Sequence, residues 1–194
     1  MKAKEAASAP GIDQLERELA WEKHKQKYSR TLRSTVYALV VVAAIAVLAA
    51  TIFFPVLQIY GSSMSPTVNE GEIVVALKGS KLEVGEVAAF WFENKLLVKR
   101  VIACPGQWVN IDSEGNVYVD GELLDEPYVM DKSFGECNID LPCQVPDGHY
   151  FILGDHRNIS QDSRITSVGC VDEERFVGKL VFRVWPFEAF GRIK

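Results

Sequence analysis

The feature that most constrains this chain is an uncharged stretch running from Ser34 to Asn69. Its core, Val36 to Leu57, reads VYALVVVAAIAVLAATIFFPVL and is almost wholly apolar. As an α-helix it would extend roughly 33 Å, enough to cross a hydrocarbon core of about 30 Å. A helix buried in a soluble core rarely runs uncharged for this length. A cleaved secretory signal fits poorly as well. The run lies behind more than 30 residues, and it exceeds the roughly 7–15 apolar residues of such signals. The pattern predicts a membrane-spanning helix over 35–57, a polar segment over 1–34 and a separate body over 58–194.

Flanking charge predicts the orientation. Lys23, Lys25, Lys27, Arg30 and Arg33 precede the span, and the next basic residue after it is Lys78. Basic flanks stay in the cytoplasm. Residues 1–34 are therefore expected to be cytoplasmic and the body extracytoplasmic, on a single-pass protein of the cell membrane. Tyr37, Phe53, Phe54 and Tyr60 suit the bilayer interfaces, and Pro55 is expected to end or kink the helix. Residues 1–11 are small and polar and read as disordered. Residues 12–33 read as a charged helix, with Ile12, Leu15 and Leu19 at helical spacing.

The net charge of −5 divides into +3 for residues 1–34 and −8 for the rest. An acidic body argues against nucleic acid as a partner, since phosphate binding needs a basic face. Four cysteines suit an exported domain. Cys137 and Cys143 bracket a short loop and are placed either to pair or to remain as reduced thiols, while Cys104 and Cys170 stand farther off. No Cys/His spacing suggests zinc.

Behind the apolar run the pattern becomes strand-like. Ile73–Leu77, Val87–Phe92 and Leu96–Ala103 are short apolar runs, the last two joined at Glu93-Asn94-Lys95 as a hairpin. Trp108–Ile111 and Val117–Val119 predict a second hairpin, His149–Leu153 a further strand, and Phe176–Trp185 the last strand or two. Residues 124–147, rich in Pro, Gly, Asp and Cys, read as a long loop excursion. The expectation is a mainly β body, a small barrel or sandwich, behind one N-terminal transmembrane helix.

A serine becomes nucleophilic only when a base takes its proton. Ser63 lies in a turn-like stretch, Gly61–Thr67, and histidine is the usual base. His24 falls on the cytoplasmic side, and a triad of His156 with Asp155 or Asp162 is conceivable. The other candidate is Lys99, which must be neutral to serve; apolar surroundings favour the neutral amine. Leu96, Leu97 and Val98 precede it, and Val101 and Ile102 follow. On pattern alone a solvent-facing lysine of an edge strand is the simpler reading, and spacing does not decide between them.

Three stretches carry a resemblance: Ser63-Met64-Ser65-Pro66-Thr67, Lys99-Arg100-Val101-Ile102-Ala103-Cys104-Pro105-Gly106 and Gly154-Asp155-His156-Arg157-Asn158-Ile159-Ser160-Gln161-Asp162-Ser163-Arg164. In this order, behind an N-terminal span, they resemble the three signature boxes of type I signal peptidases, and the likeness covers roughly residues 35–190. It implies a β catalytic domain of signal-peptidase type over 58–194, with Ser63 as nucleophile and Lys99 as general base. Ser160 and Asp162 would then orient the lysine, with Arg100 and Arg164 as charge partners of Asp162. It implies no metal, nucleotide or other cofactor. The substrate would be the signal peptide of an exported preprotein, added as an extended strand, with Ile59, Met64 and Val98 as pocket walls. Plain core packing explains those three equally well.

The chain departs from the family's common pattern at His156, Asn158 and Ile159, which alter the hydrogen bonding of that turn. Gly61, as in Gram-positive-type members, shifts oxyanion binding towards backbone donors such as the Ser63 N–H. Two other readings stand beside this one. The Ser-Lys autoprotease domain of self-cleaving repressors is disfavoured by the span and by the lack of a DNA-binding module. The alternative from another class is a membrane-anchored binding module with an inactive dyad, against which stand the intact Ser63, Lys99, Ser160 and Asp162.

Overall fold

A computed structural model describes residues 12–193, so the disorder expected over residues 1–11 lies outside the described residues. The chain divides into two compact units, one up to Ala50 and one from Thr51 onward.

The first unit is the greater part of a single helix, α1 (Ile12–Phe53). The charged segment and the apolar run are thus one continuous helix. From Leu15 to Phe53 it is long and apolar enough to cross a membrane. Thr31 and Thr35 donate their hydroxyls to the carbonyls of Lys27 and Thr31, one turn earlier in the helix. The helix stops two residues before Pro55, whose ring cannot continue it; the proline ends the helix rather than kinking it.

The second unit is β-rich. Its strands are β1 (Val56–Gln58), β2 (Ile73–Leu77), β3 (Val87–Phe92), β4 (Lys95–Ala103), β5 (Trp108–Ile111) and β6 (Val117–Val119). They continue with β7 (Glu122–Leu123), β8 (Cys143–Gln144), β9 (His149–Leu153), β10 (Val171–Asp172), β11 (Phe176–Trp185) and β12 (Gly191–Arg192). The larger sheet runs β1-β2-β11-β3-β4-β9-β10, with β12 added to β11; the smaller runs β7-β6-β5-β8. All described pairings are antiparallel.

The body is therefore mainly β, as expected, but among the described residues it holds two open sheets and no closed barrel. The last apolar stretch is a single ten-residue strand, β11, rather than two. It reaches the centre of the larger sheet by shifting register, pairing with β3 near its start and with β2 along the rest.

The cores follow from alternation along the strands. Val87 and Ala89 of β3 pack with Val74, Ala76, Ile59, Met64 and Val68, while Ala88 and Phe90 pack with Val101, Ile152 and Val171. A third cluster joins the two sheets: Ile102, Phe151 and Leu153 from the larger meet Val109, Ile111 and Val117 from the smaller. Cys143 and Cys170 pack against this cluster, and all four cysteines are free thiols, so Cys137 and Cys143 do not pair in this structure.

Candidate active site

Ser63 sits in the loop between β1 and β2. Its first residues need an unusual backbone: Gly61 has φ +83°, which an L side chain rarely adopts. Lys99 comes from the middle of β4, opposite Ala88 of β3. The small residue opposite leaves room for the lysine stem, and the strand delivers Nζ to the loop. Lys99 Nζ donates to Ser63 Oγ at 2.6 Å, and the lysine is only 3% exposed. Burial pulls its pKa down from 10.5 to about 8; the carboxylates of Asp162 and Asp155 oppose the fall, and the Arg164 guanidinium assists it.

The third box surrounds the pair with buried ion pairs. Asp162 is fully buried and accepts from Arg164 Nε and Nη2, each at 2.9 Å, and from Gly154 N at 3.1 Å. The Asp162 carboxylate acts on Lys99 through the field rather than through a hydrogen bond. Arg100 does not serve Asp162 as expected. On an antiparallel strand it points to the face opposite Lys99, and there it forms a two-pronged pair with Asp155, at 2.9 Å from Nε and 2.7 Å from Nη2. Asp155 also accepts from the Thr67 hydroxyl, and Arg100 donates to the same hydroxyl at 3.0 Å.

Ser160 is buried close to this centre, since a Cβ placed on Gly154 would meet both Ser160 Oγ and the Ser63 carbonyl. Among the described residues, however, its hydroxyl has no hydrogen-bond partner, and it does not engage Lys99. The His156 backbone N–H donates to the Ser63 carbonyl at 3.1 Å. Asp155 and Asp162, the carboxylates a triad would need, are both committed to arginines.

A cleft of about 630 Å³ leads to the Ser63–Lys99 pair. Ile59, Met64 and Val98 all line it, joined by Leu57, Tyr60, Trp91 and Leu96. Ile59 and Met64 are also members of the buried core, so packing accounts for them as well. Alongside the cleft, β4 is paired on one side only: β3 covers Lys95–Arg100, whereas β9 begins at Arg100. Among the described residues, 95–99 thus present a free strand edge next to Ser63.

Several contributors escaped the sequence reading. Glu126 and Arg157 form a fully buried ion pair that ties the 124–147 excursion to the third box. The ring of Tyr128 lies 3.8 Å from the Arg100 guanidinium. Arg164 reaches the same excursion, donating to the Phe134 carbonyl at 2.7 Å. Nothing in the local pattern marks these partners, because each lies about 30 residues from its mate. Asp155 was within reach of sequence reasoning: it adjoins the third box's turn, and Arg100 adjoins Lys99.

The family model and the sequence relatives bear out the family resemblance. The family model described as "Signal peptidase, peptidase S26" matches residues 32–185. A signal peptidase IB of Staphylococcus aureus is 40% identical over 152 residues, covering 68% of this chain and 78% of its own. A signal peptidase I of Bacillus amyloliquefaciens is 30% identical over 186 residues, 89% of this chain and 95% of its own. A crystal structure of a signal peptidase I from Enterococcus faecalis is 26% identical and superposes with a TM-score of 0.45, covering 52% of this chain and 97% of its own. With the family model matching most of its length, the chain belongs to the signal peptidase family, peptidase S26, and so to the hydrolases.

Proposed function

We propose that this chain is a membrane-anchored serine endopeptidase that removes signal peptides from exported preproteins, with Ser63 as nucleophile and Lys99 as general base. One observation carries the reading: a buried lysine amine, its pKa lowered to about 8, stands 2.6 Å from a serine hydroxyl. At pH 7 a lysine of that pKa is neutral about a tenth of the time, roughly 300 times more than one at 10.5.

In the neutral state the Nζ lone pair accepts the Ser63 hydroxyl proton as Oγ attacks the scissile carbonyl carbon. The tetrahedral intermediate collapses with cleavage of the C–N bond, and Lys99 returns the proton to the departing amine. Water then attacks the acyl-enzyme ester, giving its proton to Lys99, and Ser63 leaves reprotonated. Among the described residues no acceptor takes the Ser63 N–H, so it is available to the oxyanion. Asp162 and Arg164 set the field at Lys99; Arg100 and Asp155 hold the nucleophile's loop through Thr67.

The substrate would add as a strand to the free edge of Lys95–Lys99, its small residues towards Ile59, Met64 and Val98. Residues 35–53 would anchor the protein, four short of the expected 57 because Val56 and Leu57 belong to β1, with 1–34 cytoplasmic and the β-rich body extracytoplasmic.

The decisive test is Ser63→Ala in the full-length protein in detergent, assayed on a model preprotein with an Ala-x-Ala site. Cleavage is expected to vanish while the thermal unfolding midpoint stays within a few degrees. Persistent turnover would refute the assignment.

A further inference from the structure

The loop from Ile59 to Glu72 carries Ser63, and its neck is closed by two backbone bonds: Ile59 N donates to Glu72 O at 2.8 Å, and Gly71 N donates to Ile59 O at 2.9 Å. Such a loop is compact, but its placement on the body depends on what grips it. Arg183, from the central strand β11, grips it at two points. Its Nε stands 2.7 Å from Glu72 Oε2 at the neck, and its Nη2 donates to the Thr67 carbonyl, four residues beyond Ser63. The neck contact is ionic rather than directional, since neither atom makes a hydrogen bond among the described residues.

Glu72 passes the hold along the loop. Its Oε1 accepts from Asn69 Nδ2 at 3.3 Å, and Asn69 Oδ1 accepts from Ser65 Oγ at 2.9 Å, two residues after Ser63. Glu72 is 5% exposed, which is costly for a carboxylate unless it has a cationic partner.

We propose that Arg183 and Glu72 are positioning residues: a strut from β11 that fixes the nucleophile loop at the distance Lys99 requires. The inference rests on the Ser63–Lys99 reading above. Its geometry is simple. β11 pairs with β3 and β3 with β4, so the strut refers the nucleophile to the same sheet that carries the base. Neither residue touches the reacting atoms. Arg100 and Asp155 hold Thr67 independently, so loss of the strut leaves the loop folded while its neck shifts. The strut also sets Ile59, whose N–H closes on Glu72, at the wall of the cleft.

The test uses full-length protein in detergent with an Ala-x-Ala preprotein, comparing Glu72→Gln, Arg183→Gln and the double variant. Lys179→Gln is the control, because Lys179 lies on the same strand in an ion pair with Glu86, away from the loop. Each single variant is expected to lower kcat by about 10–100-fold while KM moves less than about threefold. The double variant is expected to lose no more than the worse single one, since both remove one device. Lys179→Gln is expected to match the parent.

Single variants with parental kcat per folded molecule, or losses that multiply in the double, would overturn the strut. A rise in KM at constant kcat would do the same. If one variant fails to fold, the near-isosteric Glu72→Gln or the charge-preserving Arg183→Lys supplies the reading; Lys cannot span both Glu72 and the Thr67 carbonyl, so it too is expected to lower kcat. Ser63→Ala run alongside separates the two proposals. If it stays active, the nucleophile reading fails; if it is dead while the strut variants are normal, only the strut fails.

Discussion

At the scale of the residue, the proposed base Lys99 would determine the pH behaviour. The amine is useful only when neutral, and its pKa is lowered by burial to about 8. kcat/KM is therefore expected to rise with pH through a midpoint near 8, measured on a short Ala-x-Ala peptide. A flat profile from pH 6 to 9 would contradict a lysine base. Because the native pKa lies below the unfolded value of 10.5, the unfolded chain binds the proton more readily. Burying Lys99 thus costs stability below pH 8, and that cost is relieved as pH rises from 8 to 10.5. Lys99→Met removes it, so this variant is expected to be inactive yet at least as stable as the parent at pH 7, by up to about 3 kcal/mol in urea unfolding. His156→Ala is expected to retain most activity, because the hydrogen bond from His156 to the Ser63 loop is made by its backbone N–H, which alanine keeps; loss of cleavage would revive a histidine base.

What could be read from the sequence at this scale was composition, not aim. Apolar neighbours marked Lys99 as a lysine that could be neutral, but its direction depends on register, with Ala88 opposite. Arg100 was assigned to Asp162, and it turns instead to Asp155 because successive strand residues face opposite sides. Partner choice among buried charges is a long-range property that local spacing does not encode.

At the scale of the element, the 124–147 excursion acts as a buckle on the third box. Glu126 pairs with Arg157, and Arg164 donates to the carbonyls of Phe134 and Arg157, all with buried guanidinium groups. Removing one partner of a buried pair leaves the other uncompensated. Glu126→Ala is therefore expected to lower unfolding stability by about 3–5 kcal/mol, read from urea melts. Gly135→Ala tests the same buckle by sterics. Its φ is +61°, and a Cβ there would lie 2.5 Å from Arg164 Nη1 and 2.9 Å from the Arg157 carbonyl. It is expected to destabilise the body by more than about 1 kcal/mol, and parental stability would show that the excursion is loosely held. The strands β2, β3, β5, β6 and β9 were legible because each is a short apolar run bounded by turn residues. The excursion was read only as a loop: its two-residue strand β8 is too short to show a period, and its hold on the third box is made by single residues with distant partners.

At the scale of the whole molecule, sheet order was the part least open to sequence reasoning. β11 ends up central because it pairs with β2 and β3, roughly a hundred residues earlier, and no local signal announces such contacts. The apolar helix is the reverse case: a long uncharged run is local, and α1 follows it to Phe53, ending ahead of Pro55. Orientation then rests on charge. Five basic residues lie within about a dozen positions before the apolar core, and none follows until Lys78, an asymmetry that on the proposed topology would keep the basic side in the cytoplasm. With a tag on each end of the full-length chain in intact spheroplasts, alkaline carbonate is expected to leave the protein in the membrane pellet. Protease added outside is expected to remove the C-terminal tag and spare the N-terminal one. Reversed protection would invert the topology and place Ser63 in the cytoplasm, where exported chains have not yet crossed; release by carbonate would remove the anchor from the mechanism. Moving the charge should move the protein. Neutralising Lys23, Lys25, Lys27, Arg30 and Arg33 together is expected to yield a mixed population in the same assay, with preprotein processing falling in proportion to the inverted fraction.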